Sequence, residues 1–167
     1  MKLTVVGAGA VGRLWGCKLA VHHKVHFWTR NSNPTLAIQL NPLEPQSPHE
    51  SYSFSANQPE ALKDSDCVLI TVKAFQVEQA IRDIQPYLRQ ETSVVIMHNG
   101  MGSQQVTLQL LPDNPLLYAT TSQAAFRPDS QQVSHTGLGQ TWIGALNTAG
   151  KAHHDLSLIL NDALSPC

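Results

Sequence analysis

The chain has 167 residues, 42% of them hydrophobic and 14% charged, enough apolar surface to bury a full core and too little charge for a disordered segment. A formal net charge of −1 gives no long-range attraction for nucleic acid or an anionic membrane, so the expected partner is a small molecule. Cys17, Cys67 and Cys167 lie far apart, with neither a Cys-x-x-Cys pair nor an even framework, which fits a reducing, cytoplasmic compartment.

Leu3 to Val6 is a short β-branched run that turns at Gly7, too short for a signal peptide or a spanning helix, and reads as a strand buried on both faces. Val11, Leu14, Trp15 and Leu19 then recur at helical spacing, up to His22-His23-Lys24. Val25 to Trp28 is a second strand, and a strand, helix and strand this close in sequence form a βαβ unit. Residues 33–48 contain Pro34, Pro42, Pro45 and Pro48 and are expected to be an irregular excursion, with Ser51 to Ala56 returning as a strand.

Cys67 to Val72 is the clearest central strand, since none of its side chains resists burial on either face. Val77, Ala80, Ile81, Ile84 and Leu88 predict a helix, Ser93 to Met97 a strand, Gln104 to Leu111 a helix and Leu116 to Thr120 a strand. Gln131 to Ser134 and Gln140 to Gly144 flank a glycine-containing segment and predict a hairpin at the sheet's edge, and Asp155 to Leu164 predicts a closing helix. With no repeat and no shift in composition, residues 1–167 read as one α/β domain with a doubly wound, mainly parallel sheet.

Gly7-Ala8-Gly9-Ala10-Val11-Gly12 matches Gly-x-Gly-x-x-Gly between an apolar strand and an amphipathic helix, where a Rossmann dinucleotide site requires it. Gly7 would allow the tight turn, Gly9 would admit a pyrophosphate to the backbone, and Gly12 would let helix and strand pack closely. Free amides at the helix N-terminus then hold the phosphates. The second strand ends in Thr29-Arg30-Asn31, not in the acidic residue that would accept hydrogen bonds from an adenosine ribose. A guanidinium can pair with a 2′-phosphate that a carboxylate would repel, so Arg30 favours NADP(H) over NAD(H). Lys73 and Gln76 follow the Cys67 to Val72 strand, and Asn99-Gly100 follows the next one, both at the carboxyl edge where open α/β sheets bind ligands.

Five segments in order, GAGAVG at 7–12, Trp28-Thr29-Arg30, Thr71-Val72-Lys73-Ala74-Phe75-Gln76, His98-Asn99-Gly100-Met101-Gly102 and Thr120-Thr121-Ser122-Gln123-Ala124-Ala125, resemble the ketopantoate reductase (2-dehydropantoate 2-reductase) family. The resemblance runs from Met1 to at least Gly144 and implies an N-terminal NADP(H)-binding domain. It implies that Lys73 and Gln76 line the cofactor site, that Asn99 contacts cofactor and substrate, and that Ala125 lies beside the cofactor. It also implies NADPH-dependent reduction of ketopantoate to pantoate, a 2-keto acid substrate, and a second, helical domain that supplies the general-acid lysine. That domain's motifs are absent from these 167 residues, so the sequence reads as a fragment or truncated product with little or no turnover and no catalytic residue of its own. Gln123 stands where the resemblance implies histidine; glutamine cannot titrate near neutrality, so no proton transfer is expected there.

Two other readings remain open from sequence: a stand-alone dinucleotide-binding or regulatory module, and a reductase domain for another 2-keto acid. A homodimer and a partner helical domain are both compatible with the chain. The histidines, including the adjacent pairs His22-His23 and His153-His154, lack metal-ligand spacing and read as surface residues, so no metal is expected. Cys17 and Cys67 read as buried, inert thiols, and Gly16 as a point of close helix-to-sheet contact.

Overall fold

The computed structural model describes residues 1–164. In chain order it contains β1 (Lys2–Val6), α1 (Ala10–Leu19), β2 (Lys24–Trp28), β3 (Thr35–Asn41), β4 (Glu50–Ala56), α2 (Pro59–Lys63) and β5 (Cys67–Ile70). Then come α3 (Val77–Ile84), β6 (Ser93–Met97), α4 (Gln104–Leu110), β7 (Leu116–Thr121), β8 (Ala124–Phe126), β9 (Gln132–Gly137), β10 (Thr141–Ala145) and α5 (Leu156–Leu164). Cys167 lies outside the described residues, as does the end of the expected 1–167 domain.

Strands β4, β2, β1, β5, β6 and β7 are neighbours in that order and all parallel, as a Rossmann sheet requires. The central strands β1, β5 and β6 are largely apolar because both faces are covered. Along β5, Cys67 and Leu69 join the core on the α1 side, while Val68 and Ile70 join the core containing Val77, Ile81 and Ile84 of α3. Each such fully buried aliphatic side chain contributes roughly 1.5–3 kcal/mol relative to exposure. Helix α1 is amphipathic in its sequence yet buried on several sides: Leu14, Trp15, Cys17 and Leu19 are all at most 1% exposed. Gly16 lets it approach β2, where a side-chain carbon would lie 2.3 Å from the ring of Phe27.

Two expectations need correction. Residues 35–41 form strand β3, antiparallel to β4, not an irregular excursion. Pro34 and Pro42 bracket this strand without entering it, and Leu36, Ile38 and Leu40 alternate toward the core, a period-two signal that the prolines obscured. A C-terminal edge hairpin does exist, but residues 131–134 and 140–144 are not its two arms. Strand β9 pairs with β8 and with β3, whereas β10 pairs with β7 at the opposite end of the strand order.

The pairing is that of one long antiparallel ribbon, 116–126 against 132–145, broken where Ser122 faces Gly139. A side-chain carbon on Gly139 would stand 2.3 Å from the Ser122 carbonyl carbon, so only glycine fits at this bend. Beyond the bend, β8 and β9 cross over α1, and β9 completes the sheet on the outer edge of β3. Helix α1 is thereby packed between the parallel strands and the returning ribbon.

The predicted strand at 67–72 ends at Ile70, and the helix predicted to reach Leu88 ends at Ile84, followed by a 3-10 turn that contains Pro86. His26 and His135 are buried, 5% and 7% exposed, in contrast to the surface role expected for histidines. His26 lies on β2 and His135 on β9, both facing other elements. Among the described residues no helix is long and apolar enough to cross a membrane.

Candidate functional site

The parallel strands carry the candidate residues to one edge. Val6, Trp28 and Ile70 are register partners at the carboxyl ends of β1, β2 and β5, and Ile70 is paired with Ile96 one residue before the end of β6. Gly7, Arg30, Lys73 and Asn99 follow these four strands, so the edge inferred from sequence is assembled.

The turn from β1 into α1 has the geometry its glycines predict. Gly7 has a φ of 99°, in the left-handed region that glycine adopts without steric cost, and its N–H donates to the Trp28 carbonyl at 2.9 Å. Gly12 sits against the strand: a side-chain carbon there would be 2.2 Å from the Gly7 carbonyl oxygen and 2.5 Å from Thr71 Oγ1. Thr71 Oγ1 donates to the carbonyls of Val6 and Gly7 at 3.1 and 3.2 Å, tying the turn to β5. Gly9 differs from both, because no atom lies within 4 Å of the place a side-chain carbon would occupy. Gly9 is the N-cap of α1, so the first-turn amides, beginning with Ala10, Val11 and Gly12, have no intrahelical acceptor and lie beside this opening.

Two guanidinium groups stand beside the turn. Arg13 Nε donates to the Ala8 carbonyl at 2.9 Å, and Arg127, from the ribbon's tip, donates to the same oxygen through Nη1 at 3.2 Å. Arg13 is 4% exposed, and its Nη1 has no hydrogen-bond partner among the described residues. Burial first, and the neighbouring Arg127 charge second, lower its pKa from the usual guanidinium value. Asp129 lies nearby on the tip; backbone N–H groups of Gln131 and Gln132 bond its carboxylate at 2.8 Å each and hold its pKa below the ordinary value. With the α1 dipole, these positive groups make the turn a favourable place for an anion.

Arg30 is exposed, with no hydrogen bond or ion pair among the described residues, and it occupies the middle of a shaped loop. Asn57, the residue after β4, binds that loop from beneath: its Oδ1 accepts from Thr29 N–H at 2.8 Å, and its Nδ2 donates to the Asn31 and Asn33 carbonyls at 2.6 and 2.7 Å. The sequence reading missed Asn57. An asparagine after a strand and just before Gln58-Pro59 is a turn signal, but its partners lie more than twenty residues upstream. Arg13 and Arg127 were also missed.

Lys73 is exposed and its ammonium group is unpaired among the described residues, while its backbone N–H donates to Gln76 Oε1 at 3.3 Å. Gln76 therefore closes the turn that presents Lys73. On the next strand, Asn99 Nδ2 donates to the Thr121 carbonyl at 3.0 Å and its Oδ1 accepts the Thr121 N–H at 3.3 Å. One N–H and one lone pair remain on this exposed amide for a ligand.

His98 braces the loop that follows. Its Nδ1 accepts the Gly100 N–H at 3.0 Å, so Nε2 carries the proton toward Ser103 Oγ at 2.7 Å, and Tyr118 donates its hydroxyl to the Gly100 carbonyl at 2.7 Å. Burial lowers the His98 pKa, favouring the neutral ring that this pattern needs. Ala125 lies on β8, half-buried against the core around α1, and so is on the returning ribbon instead of at the ends of the parallel strands. Gln123 spans the ribbon's bend, donating to the Gly139 carbonyl at 2.7 Å while its Oε1 lies 3.0 Å from His135 Nε2.

A family profile described as Ketopantoate reductase PanE/ApbA matches residues 3–148. The 2-dehydropantoate 2-reductase of Vibrio cholerae is 40% identical over 167 residues, covering 99% of this chain and 54% of that protein. The enzyme of the same name from Escherichia coli O157:H7 is 34% identical, covering 98% of this chain and 53% of its own length. Among solved structures, a PanE/ApbA family ketopantoate reductase from Ralstonia eutropha JMP134 superposes with a TM-score of 0.81 at 28% identity, over 99% of this chain and 55% of that one. A D-mandelate dehydrogenase, solved with NADH and anilino(oxo)acetate, shares the fold with a TM-score of 0.84 at 22% identity, over 98% of this chain and 54% of its own. This chain spans about half the length of the curated relatives it matches. With the profile covering most of its residues, and the glycine turn, Lys73 and Asn99 gathered on one sheet edge, the chain belongs to the ketopantoate reductase PanE/ApbA family.

Proposed function

We propose that these residues are the NADP(H)-binding part of a 2-dehydropantoate 2-reductase-like oxidoreductase. The observation that carries the reading is the opening over Gly9: a turn that packs tightly at Gly7 and Gly12 and is clear where a pyrophosphate would meet the helix amides. The same edge presents Arg30 and Lys73 as exposed cations, unpaired among the described residues. Cation and amide positions match an elongated anionic ligand, with Arg30 at the adenosine end and Asn99 at the nicotinamide end.

In this reading the first-turn amides of α1 hold the diphosphate, and Arg30 recognises the 2′-phosphate. Lys73 adds positive charge to the cofactor groove, and Gln76 fixes the turn that carries it. Asn99, pinned by Thr121, offers its remaining N–H and lone pair to nicotinamide and substrate. The cofactor, when bound, supplies the hydride that reduces the ketone of 2-dehydropantoate. The resemblance assigns the proton-donating lysine to the half of the relatives that this chain does not span. The 167 residues by themselves orient the hydride donor only, so binding without appreciable turnover is expected of them.

Fluorescence titration with NADPH and NADH, repeated on Arg30→Ala, tests the reading. NADPH is expected to bind at least about tenfold tighter, the equivalent of one charge-assisted contact of about 1.4 kcal/mol, and the substitution is expected to remove the difference. Equal affinities for the two nucleotides in the unsubstituted chain would refute the NADP assignment, and binding of neither would refute the dinucleotide site. Ketopantoate-dependent NADPH oxidation at an enzyme-like rate would refute the division of labour.

A further inference from the structure

Arg30 has no partner among the described residues, so its position depends on the backbone that carries it. That backbone, residues 29–33, is bonded at three points by the side chain of Asn57, with the Thr29 hydroxyl adding a local bond to Asn31. Asn57 accepts the Thr29 N–H at 2.8 Å and donates to the Asn31 carbonyl at 2.6 Å and the Asn33 carbonyl at 2.7 Å. Its Nδ2 also lies 3.0 Å from Thr29 Oγ1, whose hydroxyl donates to Asn31 Oδ1 at 2.6 Å. One carboxamide thus bonds both ends and the middle of a five-residue loop, with Arg30 between the anchored Thr29 and Asn31.

The amide can reach these groups because of where its backbone stands. Strand β4 is parallel to β2, with Ala56 opposite Phe27, so Asn57 emerges at the carboxyl edge directly beside the start of the loop. Its N–H donates to the Phe27 carbonyl at 2.9 Å. Among the described non-glycine residues it alone has a positive φ, 56°, a conformation that asparagine tolerates better than most residues. Chemistry restricts the side chain further. A carboxylate would bring negative charge against two carbonyl oxygens and toward the phosphate expected at Arg30, and an apolar residue would take the partner from the Thr29 N–H and the Asn33 carbonyl and leave the Asn31 carbonyl only the Thr29 hydroxyl at 3.2 Å.

We propose that Asn57 is the positioning residue for cofactor specificity, holding the 29–33 loop so that the Arg30 guanidinium meets the phosphate monoester on the adenosine ribose. This rests on the NADP(H) reading above. Asn57 touches no part of the ligand itself and acts only through Arg30. Its effect is therefore confined to nucleotides that carry the 2′-phosphate, whereas a residue needed merely for folding would alter every ligand alike.

The test is a double-mutant cycle over Arg30→Ala, Asn57→Gly and the pair, with dissociation constants for NADPH, NADH and 2′,5′-ADP. Glycine keeps the positive-φ backbone and removes only the amide. Asn57→Gly is expected to raise the NADPH and 2′,5′-ADP constants about tenfold and to leave NADH within about twofold, and the pair is expected to bind no worse than Arg30→Ala alone. Unchanged NADPH-to-NADH selectivity in Asn57→Gly, equal weakening of both nucleotides, or additive losses in the pair would overturn the proposal. If the unsubstituted chain itself failed to prefer NADPH, the NADP(H) reading would fall and this inference with it. If it preferred NADPH through Arg30 but not through Asn57, the inference alone would fall.

Discussion

His26 shows how a buried residue makes the stability of the fold depend on pH. Its Nδ1 lies 2.9 Å from Ser55 Oγ and its Nε2 accepts the Gln58 N–H at 3.3 Å, so the neutral ring is built in between β2 and the segment that carries Asn57. Burial pushes its pKa down to about 4 from 6.5. A folded-state value below the unfolded one means that the unfolded chain binds the extra proton first. Stability from this group is complete above about pH 6.5 and is lost as pH falls toward 4, with a slope of at most about 1.4 kcal/mol per pH unit. Urea unfolding at stepped pH is expected to show that decline, and His26→Gln to be weaker at pH 7 but flatter across the window; an equally steep decline in the variant would exclude His26 as a source. Gly7 and Gly12 were legible in the sequence because each answers a local steric requirement of the turn. Asn57 and Arg13 were not: one is defined by a loop far upstream, and the other by a ribbon that covers what would otherwise be a solvent-facing position.

Among the elements, the central parallel strands β1, β5 and β6 were legible because their side chains must suit two apolar faces at once, which leaves largely hydrophobic runs. Strand β3 was misread because its flanking prolines obscured a period-two pattern, and the C-terminal ribbon because its partners are chosen by tertiary geometry that no local pattern encodes. The ribbon's bend rests on Gly139, and it yields a graded prediction. In Gly139→Ala the new carbon would meet the Ser122 backbone at 2.3 Å, whereas in Gly137→Ala it would meet only Ala124 Cβ at 3.3 Å. Urea midpoints are expected to fall by the equivalent of about 1–3 kcal/mol for the first and clearly less for the second. Equal losses would mean that the bend is not sterically determined. Because the ribbon's tip carries Arg127 to the Ala8 carbonyl, the Gly139 variant is also expected to weaken nucleotide binding.

For the whole molecule, the enclosure of α1 is the defining feature. Cys17 on α1 and Cys67 on β5 are 0% and 2% exposed within one core, and burial pushes both thiols up to about 12. In a Cys167→Ser background, Ellman's reagent is expected to modify both only at the rate of global unfolding. Faster labelling of Cys17 alone would show that the ribbon opens independently of the parallel sheet.

The register between β3 and β9 has an outcome for biosynthesis. Asn41 and Gln132, whose side chains meet at 3.2 Å, are 91 positions apart, so the outer rim of β3 leaves the ribosome long before the strand that will cover it. Throughout that interval a nascent chain presents an uncapped row of peptide groups to its neighbours, the usual template for edge-to-edge aggregation. Such a chain should fold slowly, gain from holdase chaperones during translation, and become resistant to protease at β3 only after residue 134 has emerged.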